Sequence, residues 1–252
     1  MMYEYPEMAR DMVALIEKGV RPILKTQEAH EIMGEGAGDQ TRFLDRVAED
    51  AVFHYVKEKG IACTLVTEES GIKGEGDLTI ILDPIDGTTN ALTGIPFFSV
   101  SLAFWGERKY GFVKNLFTGD IYEAFEEGNP LKNGKTIHPD CTESIGCLYI
   151  GEGFWNVLPL IDAWRCLGSL ALELSYVAAG NLMALVDLRE KARIVDIGGA
   201  QIIAEAAGVK VTDERGKSPF EDGFFGRGEF TGKKVICALP ELHEKILNAL
   251  HG

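Results

Sequence analysis

A chain of 252 residues, 46% hydrophobic and 25% charged, is long enough for one large packed unit or two modest ones and has the balance of a soluble globular protein. Its net charge of -14 argues against a nucleic-acid backbone or an anionic membrane as the main partner. An anionic substrate could approach such a surface only where bound cations invert the local field.

The N-terminal MMYEYPEMARDM has neither the basic nor the apolar region of a signal peptide, and no apolar run is long enough to span a bilayer, so a cytoplasmic protein is expected. Five scattered cysteines form no CxxC pair, which argues against zinc and a disulfide framework and leaves Cys141 with Cys147 as a possible pair. Residues 4–18 place Met8, Met12, Leu15 and Ile16 at helical spacing. The next stretch, Gly19 to Asp39, ends in GEGAGD and predicts a mobile loop. Asp39 then opens a long helix through Lys59, with an apolar stripe of Phe43, Val47, Ala51, Val52, Tyr55 and Val56. ACTLVTEES reads as a strand ending in Glu68 and Glu69.

The following stretch, LTIILDPIDGTTN (Leu78 to Asn90), organises the rest. Its apolar half predicts a buried strand that ends in Asp83 and Asp86. Asp-Gly alone reads as a hairpin turn, but a hairpin needs neither the extra aspartate nor the two threonines. Metal and phosphate chemistry does. Two carboxylates at the mouth of a rigid strand can share hard cations, Pro84 can hold the Ile85 carbonyl outward, and amides of Gly87, Thr88 and Thr89 at a helix start would face an anion. A neighbouring strand end would add Glu68, and the clustered carboxylates would repel one another without cations among them.

Residues 97–125 predict an antiparallel meander punctuated by glycines, followed by the turn-rich GNPLKNGKT. His138-Pro139-Asp140 divides a 1–140 α+β lobe carrying most candidate ligands from a 141–252 α/β lobe. In the second lobe CLYIGE and LMALVDL read as strands, and SLALELSYVAAG as a helix capped by Ser169. Asp196 opens a helix, DIGGAQIIAEAAG, either as a plain N-cap or, through its Gly198-Gly199-Ala200, as a helix start packed closely against a metal site.

DPIDGTTN, with TEES before it and VDIGGAQIIAEAAG downstream, resembles the inositol monophosphatase and fructose-1,6-bisphosphatase superfamily over nearly the whole chain. The resemblance implies an α+β fold in a layered α/β/α/β/α sandwich, usually dimeric, and a magnesium-dependent, lithium-sensitive sugar phosphatase using two or three ions, with Mn2+ as a substitute. It implies Glu68, Asp83, Asp86, Asp196 and the Ile85 carbonyl as metal ligands. The Gly87 and Thr88 amides would hold phosphate, and Asp39 with the Thr88 hydroxyl would orient the attacking water.

Departures from the animal-type pattern bear on substrate. Val195 replaces a tryptophan, RCLGSLA spans Arg165 to Ala171 with Ser169 and Leu170 at the substrate positions, and Asp187 stands where the inositol enzymes grip ring hydroxyls. The basic stretch LREKARIVD resembles the archaeal branch, whose members often hydrolyse both fructose 1,6-bisphosphate and inositol 1-phosphate. Arg189, Lys191 and Arg193 would either meet a second substrate phosphate or form surface ion pairs with Glu190 and Asp187. A 3′(2′),5′-bisphosphate nucleotidase acting on phosphoadenosine phosphate is the enzymatic alternative, though no base-stacking aromatic is evident near Leu170 or Asp187. A non-catalytic metal-sensing module is the alternative from another class.

Overall fold

The computed structural model describes residues 4–35, 40–220 and 231–252. The first half runs α1 (Tyr5–Val20), β1 (Ile32–Glu35), β2 (Gln40–Arg42), α2 (Phe43–Lys59), β3 (Cys63–Thr67), β4 (Gly71–Gly74), β5 (Leu78–Asp86) and α3 (Thr88–Thr93). The meander follows as β6 (Ser99–Trp105), β7 (Lys109–Asn115) and β8 (Ile121–Phe125), with a small hairpin, β9 (Leu131–Lys132) and β10 (Lys135–Thr136), within the turn-rich stretch. Then come β11 (Ile145–Tyr149), α4 (Phe154–Val157), β12 (Ala163–Arg165), α5 (Leu170–Ala178), β13 (Ala184–Ala192) and α6 (Ile194–Ala206). The chain closes with β14 (Lys210–Thr212), β15 (Lys233–Ala238) and α7 (Pro240–His251).

Among the described residues, one sheet has the order β10-β9-β8-β7-β6-β5-β3-β4 and a second the order β12-β11-β13-β15-β14. The layers follow from side-chain alternation. On β5, Ile80 and Leu82 join the core beneath α1 and α2, while Ile81 joins the core shared with α5 and α6. α5 and α6 therefore lie between the two sheets, and α4 and α7 cover the far face of the second with Leu148, Val186 and Ile236. This is the expected α/β/α/β/α sandwich.

Several local expectations change. The stretch predicted as a loop contains β1, and its partner β2 takes the first residues of the helix predicted from Asp39, which begins at Phe43. Val52 and Tyr55 of its predicted stripe are buried, while Leu44 and Ala48 take the places expected of Phe43 and Val47. α6 begins at Ile194 with Arg193 as its N-cap, so Asp196 sits within the first turn instead of opening the helix. The strand predicted as LMALVDL runs on to Ala192, through the basic stretch. All five cysteines are free, so Cys141 and Cys147 do not pair. No helix among the described residues is long and apolar enough to cross a membrane.

The small residues of α6 have a definite use. A side chain on Gly199 would run into the backbone of Leu102, and one on Gly111 into the backbone of Gly199, so α6 rests directly on β6 and β7. The close approach serves the sheet backbone and not a metal, and it carries Asp196 to the end of β5.

Candidate active site

β5 is paired on both sides, parallel to β3 and antiparallel to β6. Asp83 falls on the same face as Ile81, the face covered by α6. Pairing with β6 shifts register between Asp83 and Asp86, and the Asp83 carboxylate accepts from the Ile85 amide at 3.0 Å, which fixes this kink. β3 meets β5 with Thr67 beside Leu82, so Glu68 follows at the same level as Asp83. Ligand oxygens of Glu68, Asp83 and Asp196 lie within 4.8 Å of one another.

Asp86 faces the start of α5. Its carboxylate accepts from the Ser169 hydroxyl at 2.5 Å and from the Ala171 and Leu170 amides at 2.8 and 3.3 Å. Ser169 thus sits at the N-cap of α5, yet its hydroxyl holds Asp86 and not the helix amides. Gly87 takes φ 90°, and a Cβ there would stand 2.9 Å from the Gly168 carbonyl, so both conformation and contact require glycine.

The Thr88 hydroxyl lies 2.9 Å from the Ile85 carbonyl and 3.0 Å from an Asp45 oxygen. Its single proton serves one acceptor at a time, and the Ile85 oxygen keeps a second lone pair. Asp45 occupies the first turn of α2, accepts weakly from the Arg42 amide at 3.3 Å, and is only 3% exposed. The expected partner of Thr88, Asp39, lies outside the described residues. Asp45 escaped the sequence reading, although one signal existed: Asp45 and Glu49 are acids spaced four apart beside the buried stripe of α2. Glu49 spends its charge on the Ser70 amide and hydroxyl, at 3.0 and 2.5 Å.

Burial raises this group of acids together. The Asp45 carboxyl is pushed up to about 8 by desolvation and then by the Glu68 charge. Asp86 also rises to about 8, and Glu68 to about 7, each chiefly by desolvation. Asp83 is raised well above the usual carboxylate range by burial and by Glu68, Asp86 and Asp196. Oxygen-only donors, converging and desolvated, suit a hard divalent cation, which would restore the ionised state of all of them.

A cleft of about 440 Å³ opens over the acids, lined by Asp83, Asp86, Gly87, Thr88, Leu170 and the β13 rim among others. Between Asp187 and Ala192 the β13–β15 register slips, and Glu190 takes φ 59°, so the basic stretch bulges onto the cleft. Arg189 and Lys191 line it. Asp187 does not: it is fully buried, and Arg189 grips it through Nε and Nη2 at 2.9 and 2.7 Å. Glu190 pairs with Lys234 at 3.4 Å. Arg165 is exposed outside the cleft wall, donating to the Trp164 carbonyl. Arg193 turns away from any second phosphate and onto Glu68 and Asp196. Tyr149, which the sequence did not mark, lines the cleft beneath the Arg189 guanidinium, 3.7 Å away.

Residues 4–252 match the profile of the inositol monophosphatase family. The chain belongs to that family. Within it, the protein is 37% identical to the fructose-1,6-bisphosphatase/inositol-1-monophosphatase of Methanothermobacter thermautotrophicus, over 99% of this chain and 97% of that one. It is 31% identical to the bifunctional NADP phosphatase/NAD kinase of Methanococcus maripaludis, over 96% of this chain but 48% of that one. The solved structure of an inositol monophosphatase–fructose 1,6-bisphosphatase superposes with a TM-score of 0.88 at 28% identity, covering 98% of this chain and 100% of the other. That structure matches this chain from end to end, which agrees with the sandwich described above.

Proposed function

We propose that the protein is a magnesium-dependent phosphatase that hydrolyses fructose 1,6-bisphosphate to fructose 6-phosphate and inositol 1-phosphate to inositol. The observation that carries this reading is the convergence of Glu68, Asp83 and Asp196 in one cleft with Thr88, whose hydroxyl meets Asp45 at 3.0 Å. Those acids, with Asp86 and the Ile85 carbonyl, would hold two or three Mg2+ ions, with Mn2+ as a substitute and Li+ as an inhibitor. The chemistry supplied by divalent cations in such a site is acidification of water and neutralisation of phosphoryl charge.

The chain's own groups do the rest. Gly87 and Thr88 cradle the phosphoryl group with their amides, while Leu170 closes the wall beside it. Asp45 takes the role expected of Asp39: it orients the Thr88 hydroxyl toward the water and can accept a proton through it. Arg189 is preorganised by buried Asp187, and with Lys191 it offers a second phosphate positive charge opposite the acids. This favours bisphosphates. Asp187 contributes through Arg189, and Ser169 through Asp86.

A nucleotide substrate has one observation in its favour. The outer plane of Arg189, backed by Tyr149, is a flat cationic surface on which a base could stack. For assembly we propose a homodimer, supported by the exposed Ile150, Trp155 and Trp164 near the edge strand β12. The deciding assay is phosphate release with and without Mg2+ from fructose 1,6-bisphosphate, inositol 1-phosphate, phosphoadenosine phosphate and NADP. Metal-dependent turnover of the first two supports the reading. Turnover of the nucleotides alone would keep the acid cluster and overturn the sugar pocket.

A further inference from the structure

The acid cluster already has a resident cation. Arg193, at the N-cap of α6, donates from Nη2 to Glu68 at 2.5 Å and to Asp196 at 2.7 Å, and from Nε to the other Asp196 oxygen at 3.2 Å. Its side chain is 16% exposed and reaches the floor of the same cleft. The helix cap does not need this guanidinium, because the Arg193 amide itself donates to Asp196 at 2.7 Å.

Of the three converging carboxylates, Arg193 bridges two. A divalent cation taken up by the trio would need oxygens that the guanidinium already holds, and two like charges in a desolvated pocket repel strongly. The same guanidinium borders the space where a phosphoryl group would lie, and a phosphate offers it an equally good planar, bidentate partner. Arg189, the neighbouring cation on the rim, pairs with Asp187 and not with the trio.

We propose that Arg193 is an internal competitor for the metal, holding Glu68 and Asp196 against a divalent cation until a phosphate anion in the cleft draws it away. Metal and phosphate then bind cooperatively, and the site resists loading by metal alone. The inference rests on the metal-site reading above.

Mn2+ binding to the full chain tests it without turnover. Free Mn2+ is followed by electron paramagnetic resonance for the unmodified protein, Arg193→Gln and Arg193→Lys, each with and without inorganic phosphate. Arg193→Gln should bind Mn2+ about tenfold more tightly in the absence of phosphate, the scale of one charge-assisted hydrogen bond. Phosphate should tighten Mn2+ binding by a smaller factor in Arg193→Gln than in the unmodified protein. Arg193→Lys, which keeps the charge but not the fork, should fall between. Circular dichroism checks folding first, and if Arg193→Gln does not fold, Arg193→Lys carries the comparison. Equal or weaker Mn2+ binding in the folded variants overturns the competitor and makes Arg193 a prop for the carboxylates. Absence of Mn2+ binding in all three proteins overturns the metal-site reading, and the competitor with it.

Discussion

Asp45→Asn should make the protein more stable and less active at once. The change keeps the size of the side chain and an oxygen that can accept from Thr88, but it removes an ionisable group from a site only 3% exposed. Burial raises the folded-state value of Asp45 from 3.8 to about 8. A raised carboxyl works against folding as pH increases: between the unfolded and folded values the native chain holds a proton that the unfolded chain has released. Stability therefore falls by about 1.4 kcal/mol per pH unit in that window. From 3.8 to about pH 7 this amounts to about 4 kcal/mol, against about 0.5 kcal/mol near pH 4. Asparagine has no such dependence. Urea unfolding in a chelating buffer should show the variant more stable by several kcal/mol near neutrality and equal to the parent near pH 4, while kcat drops by about 10²–10⁴. Equal stability at both pH values would refute the burial argument, and an unchanged kcat would remove Asp45 from the chemistry.

The other acids behave in linked ways. Asp83→Asn should abolish both turnover and the rise in melting temperature caused by Mg2+, since it removes the central member of the trio; calorimetry in magnesium and in chelator reads both. Glu68 and Asp86 are raised to about 7 and 8, so cation binding must displace protons below those values. Mg2+ should accordingly raise the melting temperature more at about pH 8 than at about pH 6, and the reverse order would contradict the assignment. Arg189→Ala combined with Lys191→Ala should raise KM for fructose 1,6-bisphosphate at least about tenfold more than for inositol 1-phosphate, the loss of one charged contact to the second phosphate. Equal effects on both substrates would remove that contact.

The central part of the site was legible because it is local. The apolar run into Asp83 and Asp86 reads directly as a strand mouth, and TEES marks the neighbouring strand that brings Glu68 alongside. Asp45 was not legible, because two buried acids on α2 dilute its apolar stripe and a glycine-rich approach conceals a short hairpin. The basic stretch showed its charge but not its partners. Arg193 meets Glu68 across 125 positions of sequence, and only the placement of α6 on β6 and β7 reveals that this cation faces the acids and not the substrate rim. Tyr149 looked like an ordinary strand residue until the bulge of β13 laid Arg189 over it.

The seating of Gly199 against the backbone of β6 and β7 limits how this enzyme can move. Where Gly199 meets the strands no side chain intervenes, so that contact has no compressible layer to absorb a relative shift, and it ties Asp196 to the sheet that carries Asp83. Because α6 moves with β6 and β7, breathing between the two sheets would shift the β13 rim over the cleft and leave Asp196 and Asp83 in place. Any gating of entry and exit must therefore be confined to the periphery, and substitutions that loosen or tighten the distant core should change melting temperature while leaving the spacing of the carboxylates intact.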